Sequence, residues 1–196
     1  MKRIALLGAE STGKTGLAHA LAAHLRARGL RATAVPEVLR EWCTRAGRQP
    51  RPEEQLAIAE EQERRVEEAA ADADIVIADT SALMVAVYAG MLFEDGALYR
   101  LAIGRQRGYD ATLLTGLDLP WVDDGLHRDA TQSREGVDAL LRALLQRAQV
   151  PFQVVYGQGP QRLAAALQAL VSADVLPPHL VARPEDAGGG RRWTWA

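Results

Sequence analysis

Gly8-Ala9-Glu10-Ser11-Thr12-Gly13-Lys14-Thr15 is the stretch that decides the fold, and it matches the phosphate-binding P-loop pattern G-x-x-x-x-G-K-[ST]. Its two glycines let the backbone curl tightly, so that successive N–H groups can face one anion. Lys14 can reach the β- and γ-phosphates of a nucleotide, and the hydroxyl of Thr15 can ligate Mg²⁺. We therefore expect these eight residues, Gly8 to Thr15, to bind a nucleoside triphosphate.

The residues on either side of the loop supply the context that the motif needs. An apolar run from Lys2 to Leu7 precedes it and indicates a β-strand. Leu17, Leu21 and Leu25 follow it at intervals of four and indicate a helix. In this order the positive end of the helix dipole points at the bound phosphates. An accidental glycine turn, the alternative interpretation, does not explain that order.

The length and composition are those of one globular domain and indicate no nucleic-acid or membrane partner. A chain of 196 residues can bury a full core, and 23 basic against 25 acidic residues leave a net charge of −2. That balance favours neither nucleic acid nor an anionic membrane as a partner. The single cysteine, Cys43, excludes an internal disulfide and a multi-thiolate zinc site. With no signal peptide and no apolar run near the ~18 residues of a membrane span, we expect a cytoplasmic protein.

Two acidic residues follow predicted strands. The apolar run from Ile75 to Ala78 ends in Asp79, which predicts a buried parallel strand that delivers a carboxylate to the carboxyl edge of the sheet. Beside a P-loop, such an aspartate commonly holds Mg²⁺. Glu37 follows a short predicted strand, 31–35, and stands where ligands collect in open α/β sheets. A carboxylate that merely favours the first turn of a helix explains Glu37 equally well.

The remaining pattern alternates strands with helices. We predict further strands over 109–115 and 152–156, and helices over 38–46, 53–71, 81–92, 94–107, about 137–148 and from Pro160 onward. Five strands alternating with helices predict an α/β fold with a five-stranded parallel sheet, in the three-layer P-loop kinase-like architecture. The domain is expected to span residues 1–174, followed by a poorly ordered Pro- and Gly-rich tail over 175–196.

The predicted helix over 53–71 carries a narrow apolar stripe under a heavily charged face. The stripe consists of Leu56, Ala59, Val66 and Ala70. The acidic residues of this helix, Glu63 among them, are interpreted as a solvated face with i,i+4 ion pairs. They are assigned no chemistry.

A long polar loop, 116–129, follows the fourth predicted strand. Loops of this length are usually functional or disordered, and its embedded Trp121 argues against disorder. In a phosphoryl-transfer enzyme the loop would form a lid, with Arg128 or Arg134 stabilising the charge that develops on the γ-phosphate. Asp123 and Asp124 either contact a substrate or cap the loop.

Together, these motifs resemble the ribosylnicotinamide kinase domain of NadR-type proteins over residues 2–172. The resemblance is carried by the P-loop with its Glu-Ser-Thr, Val35-Pro36-Glu37 followed by Arg40-Glu41, Ile77-Ala78-Asp79-Thr80, and Pro120-Trp121-Val122-Asp123-Asp124-Gly125-Leu126. It implies phosphorylation of nicotinamide riboside with ATP and Mg²⁺. The chain departs from the family at two positions. Ser81 stands where a second Asp is common, and His127 separates Leu126 from Arg128, whereas the family commonly has Arg directly after Asp-Asp-Gly-Leu.

The resulting hypothesis is in-line transfer from ATP to a primary hydroxyl. Gly8 to Thr15 hold the phosphates, and Thr15 and Asp79 organise Mg²⁺. Either Glu37 or Asp79 orients the attacking hydroxyl. The acceptor would meet Asp123 and Asp124 in the lid, and Trp42, Tyr88 or Trp121 could stack on a cationic ring.

Two other functions agree with the same motifs. A nucleotide-dependent regulatory ATPase needs the P-loop and the aspartate strand but no acceptor. A kinase for another nucleoside-like acceptor would carry the same phosphate machinery. The chain has no Asn-Lys-x-Asp guanine signature, which disfavours a GTPase.

Overall fold

A computed structural model of the chain describes residues 1–90, 96–121 and 134–181. Strands and helices alternate as the sequence predicted, with ends that differ by a few residues. The elements are β1 (Lys2–Leu7), α1 (Lys14–Arg26), β2 (Ala32–Val35), α2 (Val38–Ala46), α3 (Pro52–Asp72), β3 (Ile75–Asp79), α4 (Ala82–Gly90), α5 (Gly96–Gln106), β4 (Ala111–Thr115), α6 (Arg134–Arg147), β5 (Gln153–Val155), α7 (Pro160–Ser172) and a 3₁₀ turn (Pro178–Leu180). No helix in these three described ranges has both the length and the apolar character to cross a membrane.

The five strands form one parallel sheet in the order β2-β3-β1-β4-β5. Every residue of β3 and β4 is buried, as expected where helices cover both faces of a parallel sheet. The chain leaves β1 toward β2 and β3 on one side and then crosses to β4 on the other. The topological switch point therefore lies at the carboxyl end of β1, where open α/β sheets bind their ligands. The predicted fold class is confirmed.

The core is divided between the two faces of the sheet. Successive strand side chains point to opposite faces, so Ile4 and Leu6 pack with α1 and α7, whereas Ala5 and Leu7 pack in the cluster of α2 to α6. This arrangement holds β1 rigidly at the centre of the molecule. The loop that follows β1 is thereby supported from both sides.

The predicted apolar stripe of α3 is partly wrong. Leu56 is 40% exposed, whereas Glu63, assigned to the solvated face, is only 5% exposed. The buried positions of this helix are Gln55, Ile58, Ala59, Gln62, Glu63 and Val66. Three of them are polar, so hydropathy identified only part of the buried face, at Ala59 and Val66. Buried polar groups of this kind are retained where hydrogen bonds satisfy them.

The core continues beyond residue 174. Val175 and Leu176 are buried in the cluster formed by α1 and α7, and His24 Nε2 lies 3.0 Å from the Leu180 carbonyl oxygen. The poor order predicted from residue 175 onward is therefore wrong for 175–181. Residues 182–196 lie outside the described part of the chain.

Candidate active site

The strand register brings three predicted functional segments to one edge of the sheet. Leu6 lies opposite Asp79, so that aspartate flanks the start of the P-loop. Val35 lies opposite Ala78, which places Glu37 beside the end of β3. The P-loop, Asp79 and Glu37 therefore meet at the topological switch point.

The P-loop is tightly wound against the end of β4. A Cβ atom on Gly8 would lie 2.2 Å from Thr115 Oγ1, so only glycine fits there. The hydroxyl of Thr115 donates to Thr12 Oγ1 at 2.7 Å, and the hydroxyl of Thr12 donates to the Ala9 carbonyl at 2.8 Å. No sequence motif predicted a role for Thr115. Its position at a strand end beside the P-loop was the available signal.

Lys14 lies across the loop that carries it. Its side chain is buried, and Nζ donates to the carbonyl oxygens of Gly8 at 2.9 Å and Ala9 at 2.7 Å. The ammonium group is therefore held at the centre of the loop. A cation there can contact the terminal phosphates of a nucleotide bound to the same loop.

Thr15 and Asp79 form the candidate metal site. The Thr15 hydroxyl donates to Asp79 Oδ2 at 2.5 Å. Asp79 is 3% exposed, and its other oxygen, Oδ1, is buried with no hydrogen-bond partner among the described residues. Burial raises the pKa of Asp79, and the negative charge of Glu37 raises it further.

These two residues fit Mg²⁺. Carboxylate and hydroxyl oxygens are the ligands this ion prefers, and a buried oxygen without a donor is one that a cation would satisfy. In the described ranges no group of three or more His, Cys, Asp or Glu side chains could hold a metal alone. Mg²⁺ commonly uses one or two protein ligands together with phosphate oxygens and water.

Glu37 occupies the N-cap position of α2 but makes no capping hydrogen bond to that helix. Its carboxylate is buried and accepts a hydrogen bond from Arg40 Nε at 3.2 Å. Glu37 thus does not serve as a side-chain cap. The structure brings it into the same site as Asp79, close enough to influence the pKa of that residue.

Arg162 is a buried residue of this region that sequence analysis missed. It lies on α7 and donates to the Gly157 carbonyl through Nε at 2.6 Å, to the Thr12 carbonyl through Nη1, and to Asp118 through Nη2. Asp118 also accepts the Gly157 N–H at 2.6 Å. One guanidinium therefore ties the P-loop to the ends of β4 and β5. No local pattern in α7 signals this role.

Arg134, one of the two predicted lid arginines, lies close to the P-loop. Its Nη2 donates to the Leu119 carbonyl at 2.9 Å, while Nε is buried without a hydrogen-bond partner in the described ranges. The side chain of Leu119 in turn lies against Gly13, 2.9 Å from where a Cβ would stand. Arg134 is therefore joined to the nucleotide loop through Leu119.

The other predicted lid residues are less informative. Asp123, Asp124, His127 and Arg128 lie outside the described residues. Trp121 is described and is 58% exposed. Its assignment to the acceptor stays a prediction.

Residues after β3 belong to the core and not to a pocket. Ser81 is buried, and its hydroxyl donates to Gln106 Oε1 at 2.6 Å. Met84 and Tyr88 are buried in the apolar cluster of α2 to α6. Both side chains are therefore packed in the core.

A comparison with known protein families identifies the family of this chain. The family model described as an AAA domain matches residues 3–162. The chain belongs to the AAA domain family. No curated protein matches the chain.

This AAA domain shares its fold with several solved structures. NadR in complex with NAD and AMP-PNP aligns with a TM-score of 0.67 at 19% identity, and NadR in complex with NR aligns with 0.68 at 20%. Both alignments cover 90% of this chain, which spans about half the length of the NadR chains (50% and 51%). The resemblance to NadR-type domains found in the sequence is confirmed at the level of the fold.

Two further structures align along nearly their whole length. Thymidylate kinase from Ehrlichia chaffeensis aligns with a TM-score of 0.60 at 15% identity, covering 87% of this chain and 97% of that enzyme. Deoxyadenosine kinase from M. mycoides, in complex with dCMP and dCDP, aligns with 0.58 at 13% identity, covering 87% and 99%. At these identities the likeness concerns the fold alone.

Proposed function

We propose that the protein transfers the γ-phosphoryl group of ATP to the primary hydroxyl of a nucleoside-like acceptor, and that the acceptor is nicotinamide riboside. The observation that carries the proposal is a second buried carboxylate, Glu37, beside the Thr15–Asp79 pair and the P-loop. A nucleotide switch needs the loop and Asp79. A kinase also needs a group that orients the attacking hydroxyl.

The roles of the two carboxylates follow from their contacts. Asp79 Oδ2 already accepts the Thr15 hydroxyl, and the orphaned Oδ1 suits a cation. Bound there, Mg²⁺ would neutralise charge on the transferring phosphate. Glu37 is therefore our candidate to accept a hydrogen bond from the acceptor hydroxyl, with Arg40 restricting its side chain.

The choice of nicotinamide riboside rests on the ordered motifs that resemble NadR-type domains, together with the shared fold. One of the NadR structures with this fold is a complex with NR. The riboside carries a cationic ring, which suits a site with buried carboxylates, and Trp121 is proposed to stack on that ring. Asp123 and Asp124 are proposed to contact the ring or the ribose.

A competition among acceptors tests this proposal. Nicotinamide riboside, the common nucleosides and pantothenate-like alcohols are incubated with ATP and Mg²⁺, and both ADP release and product mass are recorded. We expect the highest kcat/KM with nicotinamide riboside and a monophosphate product. A better acceptor elsewhere in the panel would leave a kinase with another substrate. ADP release at one rate with every addition, and no phosphorylated product, would identify a regulatory ATPase.

Arg134→Gln is expected to lower the turnover number about a hundredfold while changing the KM for ATP little. A contact that strengthens as charge develops on the phosphate acts chiefly in the transition state. Arg142→Gln is the matched control, because Arg142 lies on the same helix and pairs with Asp138 at 2.6 Å. Steady-state kinetics of both variants check the expectation. If Arg134→Gln instead lowers the turnover number and the affinity for ATP equally and modestly, Arg134 does not act on the γ-phosphate from the lid, and Arg128 remains the candidate.

A further inference from the structure

Two consecutive residues of α3, Gln62 and Glu63, contact the segments that join β2 to α2 and β3 to α4, which contain or directly follow the carboxylates of the candidate site. Neighbouring residues on a helix point about 100° apart, so an adjacent pair can reach two different elements. Gln62 reaches the turn between β2 and α2, and Glu63 reaches the start of α4. Both side chains are buried, although sequence analysis assigned them no function.

The side-chain amide of Gln62 makes hydrogen bonds to the backbone on both sides of Glu37. Its Oε1 accepts the N–H of Val38 at 2.9 Å, and its Nε2 donates to the Pro36 carbonyl at 3.3 Å. Val38 is the first residue of α2, whose N-cap side chain, Glu37, makes no capping hydrogen bond. Gln62 therefore satisfies one of the backbone amides that the start of a helix leaves without an intrahelical partner. The backbone that carries Glu37 is thereby held to α3 on both sides of that residue.

Glu63 holds the turn after Asp79 in a similar way. Its Oε1 accepts the N–H of Ala82, the first residue of α4, at 2.8 Å, and its Oε2 accepts the Tyr109 hydroxyl at 3.1 Å. The turn itself is strained, because Thr80 has a φ of 77°. A carboxylate at a helix N-terminus also interacts favourably with the helix dipole.

We infer that Gln62 and Glu63 form a positioning pair that sets the placement of Glu37 relative to Asp79 for phosphoryl transfer. Both residues belong to one helix, so the two turns are held at a separation that α3 defines. Neither residue is assigned contact with nucleotide or acceptor. The inference rests on the function proposed above for Glu37 and Asp79.

A set of kinetic variants tests the pair. Gln62→Met keeps the side-chain length but removes both hydrogen bonds, and it should lower kcat about 10- to 100-fold with the KM for ATP nearly unchanged. Gln62→Glu keeps the acceptor for Val38 but loses the donor to Pro36, so its loss should be intermediate. Glu63→Met should behave like Gln62→Met, whereas Glu63→Gln keeps an acceptor for Ala82 and should recover most of the activity.

Gln55→Met is the matched control. Gln55 is a buried glutamine of the same helix, and its Nε2 lies 3.4 Å from the Pro50 carbonyl, away from both turns. Gln55→Met should change the melting temperature little, because it removes one long hydrogen bond and a buried Oε1 that has no hydrogen-bond partner among the described residues. Gln62→Met removes two hydrogen bonds, and of the two variants only Gln62→Met should lower kcat. Similar kcat values in the two variants would show that Gln62 is merely structural.

Double mutants decide whether each residue acts through its own carboxylate. Gln62→Met added to Glu37→Gln should cost little more than Glu37→Gln alone, whereas added to Asp79→Asn its effect should remain. Glu63→Met should show the reverse dependence. Additive losses in all four combinations would overturn the inference.

Amide hydrogen exchange makes the test independent of the proposed reaction. Gln62→Met should speed exchange at Val38, and Glu63→Met should speed exchange at Ala82, because each substitution removes the acceptor. Gln55→Met should alter neither amide. If exchange is unaltered at Val38 in Gln62→Met and at Ala82 in Glu63→Met, the two positioning contacts do not hold these amides and the inference is overturned. A wild-type protein that phosphorylates no acceptor would instead overturn the proposed function.

Discussion

Lys14→Ala is expected to abolish measurable phosphoryl transfer, by about a thousandfold or more, while the protein stays folded. The side chain places its ammonium group over the loop through hydrogen bonds to the carbonyls of Gly8 and Ala9. Its removal takes away the cation proposed to contact the β- and γ-phosphates. Alanine suits the first position of α1, so the helix should remain. Coupled ADP release measures the activity, and circular dichroism with thermal unfolding measures the fold.

The chain offers a matched control for that substitution. Lys2 and Lys14 are its two lysines, and Lys2 pairs with Asp110 at the opposite edge of the sheet. Lys2→Ala removes the same charge and should leave the turnover number near the wild-type value. A folded Lys14→Ala protein with wild-type turnover would show that the nucleotide reacts at another site.

The parts of the site that could be predicted from sequence are those encoded locally. The P-loop joins a strand to a helix within a few residues, and β3 is an apolar run with Asp79 at its end. Because parallel strands end at a common edge, these local patterns were enough to bring Asp79 to the P-loop.

The residues that could not be predicted are buried polar side chains with distant partners. Arg162 donates to the carbonyl of Thr12, 150 positions earlier in the chain, and Gln62 holds a turn 24 positions away. Hydropathy patterns cannot reveal such contacts, because they score a polar residue as exposed until its partner is known. Glu63 was assigned to the wrong face of α3 for this reason.

The C-terminal boundary illustrates a second limit. Proline and glycine enrichment after residue 174 predicted a poorly ordered tail. Val175 and Leu176 nevertheless fill the space between α1 and α7. Two apolar side chains are enough to anchor a short segment, and composition averaged over a tail conceals them.

Asp79→Asn is expected to lower the turnover number about a hundredfold while raising thermal stability. Asparagine can still accept the Thr15 hydroxyl, but it removes the negative charge proposed to hold Mg²⁺. Burial and the charge of Glu37 raise the pKa of Asp79 above its ordinary value of 3.8, so the ionised group is a cost to the folded state. A neutral side chain of the same shape removes that cost.

The sign of the pH dependence follows from the same shift. The pKa of Asp79 is higher in the folded protein than in the unfolded chain. The folded protein therefore binds more protons than the unfolded chain at pH values between 3.8 and the raised pKa. The wild-type free energy of unfolding therefore falls across that window as pH rises, and the loss persists at neutral pH. The melting temperature of Asp79→Asn should exceed that of the wild type at neutral pH, and the gap should close below about pH 4.

Asp74→Asn supplies a control of opposite sign. Arg31 donates to Asp74 and lowers the pKa of that carboxyl to about 2, so ionisation of Asp74 favours the folded state. Its replacement should lower the melting temperature slightly at neutral pH, because the pair is exposed, and should leave turnover unchanged. Wild-type turnover of Asp79→Asn at saturating Mg²⁺ would remove Asp79 from the metal site. A lower melting temperature for Asp79→Asn would show that its buried charge is compensated in the folded protein, and Oδ1 would then need a partner other than a bound cation.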